Sequence, residues 1–129
     1  MAKDRTWIEK ENEEAIRQMD SYLKGYTLSR RMLQLNIYEN QKSLQSEWSE
    51  ESPCELSMAR ARMFDIRHKI MSLENCDEKL MLYYHYIKGE TIERCSELIG
   101  VSRSSGFRMN RRGLLMLAEK IRTEDTNSP

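Results

Sequence analysis

Apolar residues recur along the first third of the chain with helical spacing. Ile16, Met19, Leu23, Tyr26, Leu33, Ile37 and Leu44 follow one another at alternating intervals of three and four, with Arg30 and Asn40 in the two missing places. That is a heptad-like seam interrupted by polar residues. Leu28, Met32 and Leu35 form a second stripe and widen the apolar face, as expected of a helix with more than one neighbour. Between Asp4 and Trp48 there is no proline and one glycine, Gly25. The pattern predicts one long helix, kinked or split near Gly25; the alternative is two shorter helices joined at Lys24-Gly25-Tyr26. The polar run Trp48-Ser-Glu-Glu-Ser-Pro-Cys-Glu55 reads as a linker, because Pro53 disfavours helix at Ser52. A second helix follows from about Glu55 to Leu73, with its stripe at Ala59, Met63, Ile66, Ile70 and Leu73. Two seams joined by a linker at about 49–55 predict, over residues 1–73, an antiparallel helical hairpin or helices that pair between subunits. Self-association as a homodimer is the expectation.

Asn75-Cys76-Asp77 marks the next break, with Asp77 as N-cap and Glu78 in the first turn, where negative charge suits the helix dipole. A helix from Glu78 to Lys88 is expected to bury Leu80, Tyr84 and Ile87, with Tyr83 and Tyr86 flanking, and to end at Gly89. It would supply the third wall that a pair of short helices needs to bury its apolar faces.

The most specific signal is Thr91-Ile-Glu-Arg-Cys-Ser-Glu-Leu-Ile-Gly-Val-Ser-Arg-Ser-Ser-Gly-Phe-Arg-Met-Asn-Arg-Arg112. A short helix from Thr91 to Ile99 carries the small Ser96 at its centre, where a second helix can cross closely. Gly100 supplies the left-handed conformation that a tight turn requires. Val101 fills the gap between the helices, and Ser102 caps the next helix. Cys95, Ile99, Val101 and Met109 occupy positions that a helix-turn-helix buries.

The last helix is predicted from about Arg103 to Ile121. At roughly 100° per residue, Gly106, Met109, Gly113 and Leu117 share one face. The outward side near its start carries short hydroxyls, one aromatic ring and long guanidinium groups, a mix suited to a major groove about 12 Å wide. Ser102, Ser104 and Ser105 suit phosphates or base edges, Phe107 a thymine methyl, and Arg108 a bidentate contact to guanine. Arg103, Arg111 and Arg112 suit phosphates and would set the register.

Net charge is zero, with 21 basic and 21 acidic residues, which alone does not suggest a DNA binder. The distribution does. Residues 1–55 carry eight basic and eleven acidic side chains, and residues 56–129 carry thirteen and ten. From residue 98 to 122, Arg103, Arg108, Arg111, Arg112, Lys120 and Arg122 face a single acid, Glu119. The 33% of charged residues, with 2 prolines and 5 glycines, favours an all-α fold. Cys54, Cys76 and Cys95 are far apart, and the only histidines are His68 and His85, so neither a zinc site nor a disulfide scaffold is expected. No signal segment or membrane span is read, and a cytoplasmic location follows. There is no phosphate-binding glycine loop, nucleophile elbow or paired carboxylate cluster, so neither an enzyme nor a cofactor is expected. The tail 123–129 is expected to be disordered.

At Tyr86-Ile-Lys-Gly-Glu-Thr-Ile-Glu-Arg-Cys-Ser-Glu-Leu-Ile-Gly-Val-Ser-Arg103 the chain resembles the C-terminal, promoter-reading domain of bacterial sigma factors. The next stretch, from Ser102 to Ile121, resembles the RinA/ArpU-type regulators of phages in Gram-positive bacteria. The resemblance covers about residues 77–121; the N-terminal half is similar only in general character. It implies a sigma-like helix-turn-helix domain over 77–122 that binds double-stranded DNA, and a regulator that switches on late phage genes together with RNA polymerase. Two positions depart from the family pattern. Gly106 stands where a buried apolar or aromatic residue is usual, and Gly113 where alanine is usual, so the last helix either packs unusually closely or is loosened. Two other functions fit the same architecture: a small-terminase-like packaging protein, which joins DNA-binding and oligomerising helices, and a module that binds polymerase or a sigma factor without DNA.

Overall fold

The computed structural model describes residues 2–42 and 53–126, and every regular element among them is helical. The helices are α1 (Ala2–Lys42), α2 (Pro53–Met71), α3 (Cys76–Leu82, continued by a π-helical turn over Tyr83–Ile87), α4 (Ile92–Ile99) and α5 (Arg103–Thr126). No helix among the described residues is long and apolar enough to cross a membrane.

The long helix passes through Gly25 without a break. A glycine inside a helix costs about 1 kcal/mol, less than the burial of Leu23 and Tyr26 on either side contributes. α2 packs across this turn at ordinary contact distance: a Cβ there would lie 3.4 Å from Arg62 Cδ and 3.8 Å from Ile66 Cδ1, so the packing does not require the glycine. Pro53 is the first residue of α2 rather than part of a linker, a position where its missing N–H costs nothing. Residues 43–52, which hold Leu44, Trp48 and the rest of the expected linker, lie outside the described residues. The third helix begins at Cys76 with Asn75, not Asp77, as its N-cap. α5 continues to Thr126, so residues 123–126 of the expected disordered tail are helical, and residues 127–129 lie outside the described residues.

α1 and α2 run antiparallel. Tyr22 Oη donates to Asp65 Oδ2, and Lys69 Nζ reaches both groups, at 2.7 Å from Asp65 Oδ2 and 3.2 Å from Tyr22 Oη. α1 and α5 run side by side in the same direction. Glu13 meets Arg111, and the grooves between the helices are lined by Ala15 and Gln18 with Ala118, then by Met19 and Tyr22 with Ile121 and Arg122. A single core joins the halves: Met19, Leu23 and Tyr26 of α1, Ile66 and Ile70 of α2, Leu73 just beyond it, Leu82, Tyr86 and Ile87 of α3 and its extension, and Leu114 and Leu117 of α5. The expected seam of α1 is therefore spent largely inside its own chain. A smaller cluster of Met81, Cys95 and Met109, flanked by Ile92, Ile99 and Val101, glues α4 to its neighbours.

Within α3 the buried residues are Glu78, Met81 and Leu82, then Tyr86 and Ile87 of the π turn; Ile87 is buried as expected, whereas Leu80 and Tyr84 are only half-buried and Tyr86, expected to flank, is enclosed. Two features shift the face. Glu78 turns inward because Arg112 meets it, and the π turn, with Lys88 N–H donating to Tyr83 O at 3.1 Å, lets the neighbours Tyr86 and Ile87 both face the core. Tyr86 Oη donates to Asp20 Oδ1 at 2.5 Å, tying the turn to α1. Burial, reinforced by Asp20, pushes the Tyr86 hydroxyl far above the usual tyrosine range. Burial also raises the Asp20 carboxyl, but hydrogen bonds from Lys24 and Tyr86 outweigh it and leave it below its ordinary value.

Two stability measurements check this packing. Asp20 is stabilising above its unfolded pKa, and that stability is lost as pH falls through the depressed folded value. Tyr86→Phe should therefore cost about 1–2 kcal/mol near neutral pH, with the deficit against the parent shrinking below about pH 4; urea melts across pH read both. The second concerns Gly106, where a Cβ would fall 1.8 Å from Ser96 Oγ and 3.0 Å from Ser96 Cβ. Gly106→Ala should lose about 1–3 kcal/mol although alanine is the better helix former, and adding Ser96→Gly should recover part of the loss.

Candidate nucleic-acid interface

The surface of interest is built by α4, the turn after it and the first two turns of α5. Thr91 starts α4: its Oγ1 accepts from Arg94 N–H at 3.1 Å. Gly100 ends it with φ 91° and ψ 33°, the left-handed conformation that other residues enter at a cost. The N–H groups of Gly100 and Val101 both donate to Ser96 O, at 2.8 and 2.9 Å, which closes the turn tightly. Ser102 then caps α5, its Oγ accepting from Ser105 N–H at 3.2 Å. Ser102 Oγ also donates to Ser105 Oγ at 2.9 Å.

Where the helices cross, Gly106 lies directly on Ser96, whose hydroxyl is turned back to donate to Ile92 O at 2.7 Å. Further along, Gly113 lies against Leu82 and Glu78, where a Cβ would sit 3.2–3.4 Å from their side chains. Both glycines thus allow close packing; neither interrupts α5.

The proposed contact residues separate into groups. Ser102, Arg103, Ser104, Phe107, Arg108, Arg111 and Arg112 are exposed and Ser105 is half-buried. The hydroxyls of Ser102 and Ser105 serve the cap. Arg103 Nε pairs with Glu93 Oε1 of α4 at 3.2 Å, and its guanidinium lies 5.7 Å from the centre of the Phe107 ring. Arg108 reaches only Ser105 Oγ, at 3.4 Å, among the described residues. Arg111 Nη2 meets Glu13 Oε1 of α1 at 2.9 Å, and Arg112 Nη1 meets Glu78 Oε1 of α3 at 3.1 Å.

Magnitudes separate the two long-range pairs. In Arg111–Glu13 both side chains are more than half exposed, so the pair contributes at most about 1 kcal/mol, and a phosphate could take the guanidinium from the carboxylate. Glu78 is only 6% exposed, so Arg112 cannot leave without stranding a buried carboxylate. Arg112 therefore belongs to the packing of α3 on α5 more than to any ligand. Sequence reasoning missed Glu13 and Glu9, which line one groove with Arg108, Arg111 and Arg112. They lie about a hundred positions away in the chain, and the only available signal was the acidic run Glu9, Glu11, Glu13 and Glu14.

Removing the guanidinium in Arg112→Ala should destabilise the fold by about 1–3 kcal/mol, and pairing it with Glu78→Gln should restore part of that. Thermal melts of the two variants and their combination check the cycle.

No protein-family model, curated protein or solved structure matches the chain.

Proposed function

We propose that the chain is a sequence-specific DNA-binding transcription regulator that presents the start of α5 to the major groove. The observation that carries the reading is the exposed corner made by the α4–α5 turn. Ser104, Phe107 and Arg108 project there from a helix held rigidly by the Gly100 turn, the Ser102 cap and the Ser96–Gly106 contact. Arg108, which meets no carboxylate among the described residues whereas Arg103, Arg111 and Arg112 each do, is assigned the base contact, with Phe107 beside it for a thymine methyl. Arg103 and Arg111 are assigned to phosphates; each gives up an exposed carboxylate to do so. Ser102 and Ser105 act first as the cap, and Arg112 acts on DNA only indirectly, by seating α5. In the same reading the chain works as a pair, as its N-terminal helices suggest, in the cytoplasm of a bacterial host, and it activates late phage genes with RNA polymerase, as the resemblance of residues 77–121 implies. No catalytic step is assigned.

The test is fluorescence anisotropy with duplexes from the regulatory DNA of the chain's own genome and with scrambled duplexes, across a salt series. Arg108→Ala should weaken binding to the specific duplex by 1–3 kcal/mol, about the worth of one bidentate base contact, and leave scrambled binding nearly unchanged. Arg111→Ala should weaken both and flatten the salt dependence by about one phosphate. Glu13→Gln, which releases Arg111, should tighten both by up to about fivefold at low salt. Equal losses on both duplexes for Arg108→Ala would remove the base-reading role; failure to retain any duplex in dilute buffer would remove the function.

A further inference from the structure

The stripe of α1 that its own chain leaves uncovered is not the expected seam. Met19, Leu23 and Tyr26 of that seam are buried in the core, Ile16 and Leu33 are half-buried, and only Ile37, near the end of its described part, is exposed. The second stripe stays in solvent: Leu28 is 57% exposed, Met32 39% and Leu35 59%. At roughly 100° per residue, Lys24, Leu28, Met32, Leu35 and Glu39 all lie within about 40° of Leu28. Arg30, on the far side of the helix, donates to Ile87 O at 3.2 Å and marks the face turned toward the core. The antiparallel register of α2, set by Tyr22–Lys69 and Gly25–Arg62, brings Met58, also 57% exposed, level with this part of α1. Contiguous exposed apolar side chains of this kind mark an interaction surface.

We propose that this stripe is a homodimer interface in which a second copy of α1 packs antiparallel across a twofold axis near Met32. The argument is self-complementarity. In the order Lys24, Leu28, Met32, Leu35, Glu39, a copy running the other way sets Lys24 against Glu39, Leu28 against Leu35, and Met32 beside its own copy. A twofold contact requires that one patch fit itself, with residue i meeting j and j meeting i. Here both the apolar and the charged positions satisfy that condition. A parallel pairing would instead stack Lys24 on Lys24 and Glu39 on Glu39. The Lys24 ammonium already lies 2.8 Å from Asp20 Oδ2 and is two-thirds exposed, so it reaches outward from the same flank. This inference deepens the dimer part of the proposed function and is independent of DNA binding, because it is measured without DNA.

Sedimentation velocity of the full chain over a wide concentration series tests it. The parent should shift from monomer to dimer. Leu28→Glu should raise the dimer dissociation constant by about tenfold or more, the effect of losing a central apolar contact. Ile37→Glu, an equally exposed apolar position on the opposite side of α1, should not. Lys24→Glu should weaken the dimer and Lys24→Glu with Glu39→Lys should restore it. Because these side chains are exposed, circular dichroism should show every variant folded. A parent that stays monomeric, or a dimer indifferent to Leu28→Glu, overturns the interface. A dimer that Leu28→Glu breaks but the charge exchange does not rescue overturns the antiparallel twofold arrangement.

Discussion

The contact between Ser96 and Gly106 is the constraint on which the rest of the C-terminal half turns. No side chain fits between the two helices there: a single added carbon would fall 1.8 Å from a hydroxyl oxygen. Because the backbones meet so closely, the short α4 can hold α5 at a fixed angle despite offering few side chains of its own. The contact works only because each participant is conformationally occupied elsewhere. Ser96 spends its hydroxyl on Ile92 O, and its carbonyl accepts the two N–H groups that close the turn. Glycine at 106 forgoes helix propensity, and Ser102 offsets some of that loss by capping the same helix. The start of α5 is thereby placed by geometry rather than by a large core, and its outward residues are left without packing duties.

Electrostatics in this fold are local exchanges. The chain is neutral overall, yet the basic stretch of α5 is not simply bare: Arg103, Arg111 and Arg112 each meet a carboxylate from a different helix. What distinguishes them is the solvent around the partner. Glu13 and Glu93 are hydrated and surrender an arginine cheaply, whereas Glu78 is enclosed and holds its arginine. The acidic stretch of α1 from Glu9 to Glu14 thus sits beside the arginines as a weak internal competitor for any polyanion, one that salt would screen along with the polyanion itself.

Most of the helix boundaries and the details of the α4–α5 turn could be read from the chain, because they rest on local chemistry: a threonine and a serine cap, a left-handed glycine, a small residue at a crossing. The alternatives left open at Gly25 and Gly106 could not be closed that way. Whether a glycine breaks a helix depends on what lies across from it: Arg62 and Ile66 back Gly25 at ordinary contact distance, and Ser96 meets Gly106 so closely that only glycine fits. The phase of α3 was misread for a related reason. Glu78 looks like a solvated first-turn acid until Arg112, far along the chain, is brought against it. The partner of the α1 seam was the least legible of all. Periodicity shows that a stripe is apolar but not which surface covers it, and α1 has two stripes.

On the proposed pairing, those two stripes would give α1 a mechanical role. Its first half lies along α5, with Glu13 on Arg111, and the second half carries Leu28, Met32 and Leu35. A continuous helix has no soft joint between them, since Gly25 is passed without a break and backed by α2. On the proposed pairing, a twofold axis near Met32 puts the two Glu13–Arg111 junctions roughly 55 Å apart along the paired rods, at about 1.5 Å per residue. Adjacent major grooves on one face of a duplex repeat every 34–36 Å. A rigid pair of this kind would not suit half-sites one turn apart; it would suit more widely spaced sites or a duplex that bends toward both ends. Spacing would then be read by the length of α1, and base identity by the start of α5.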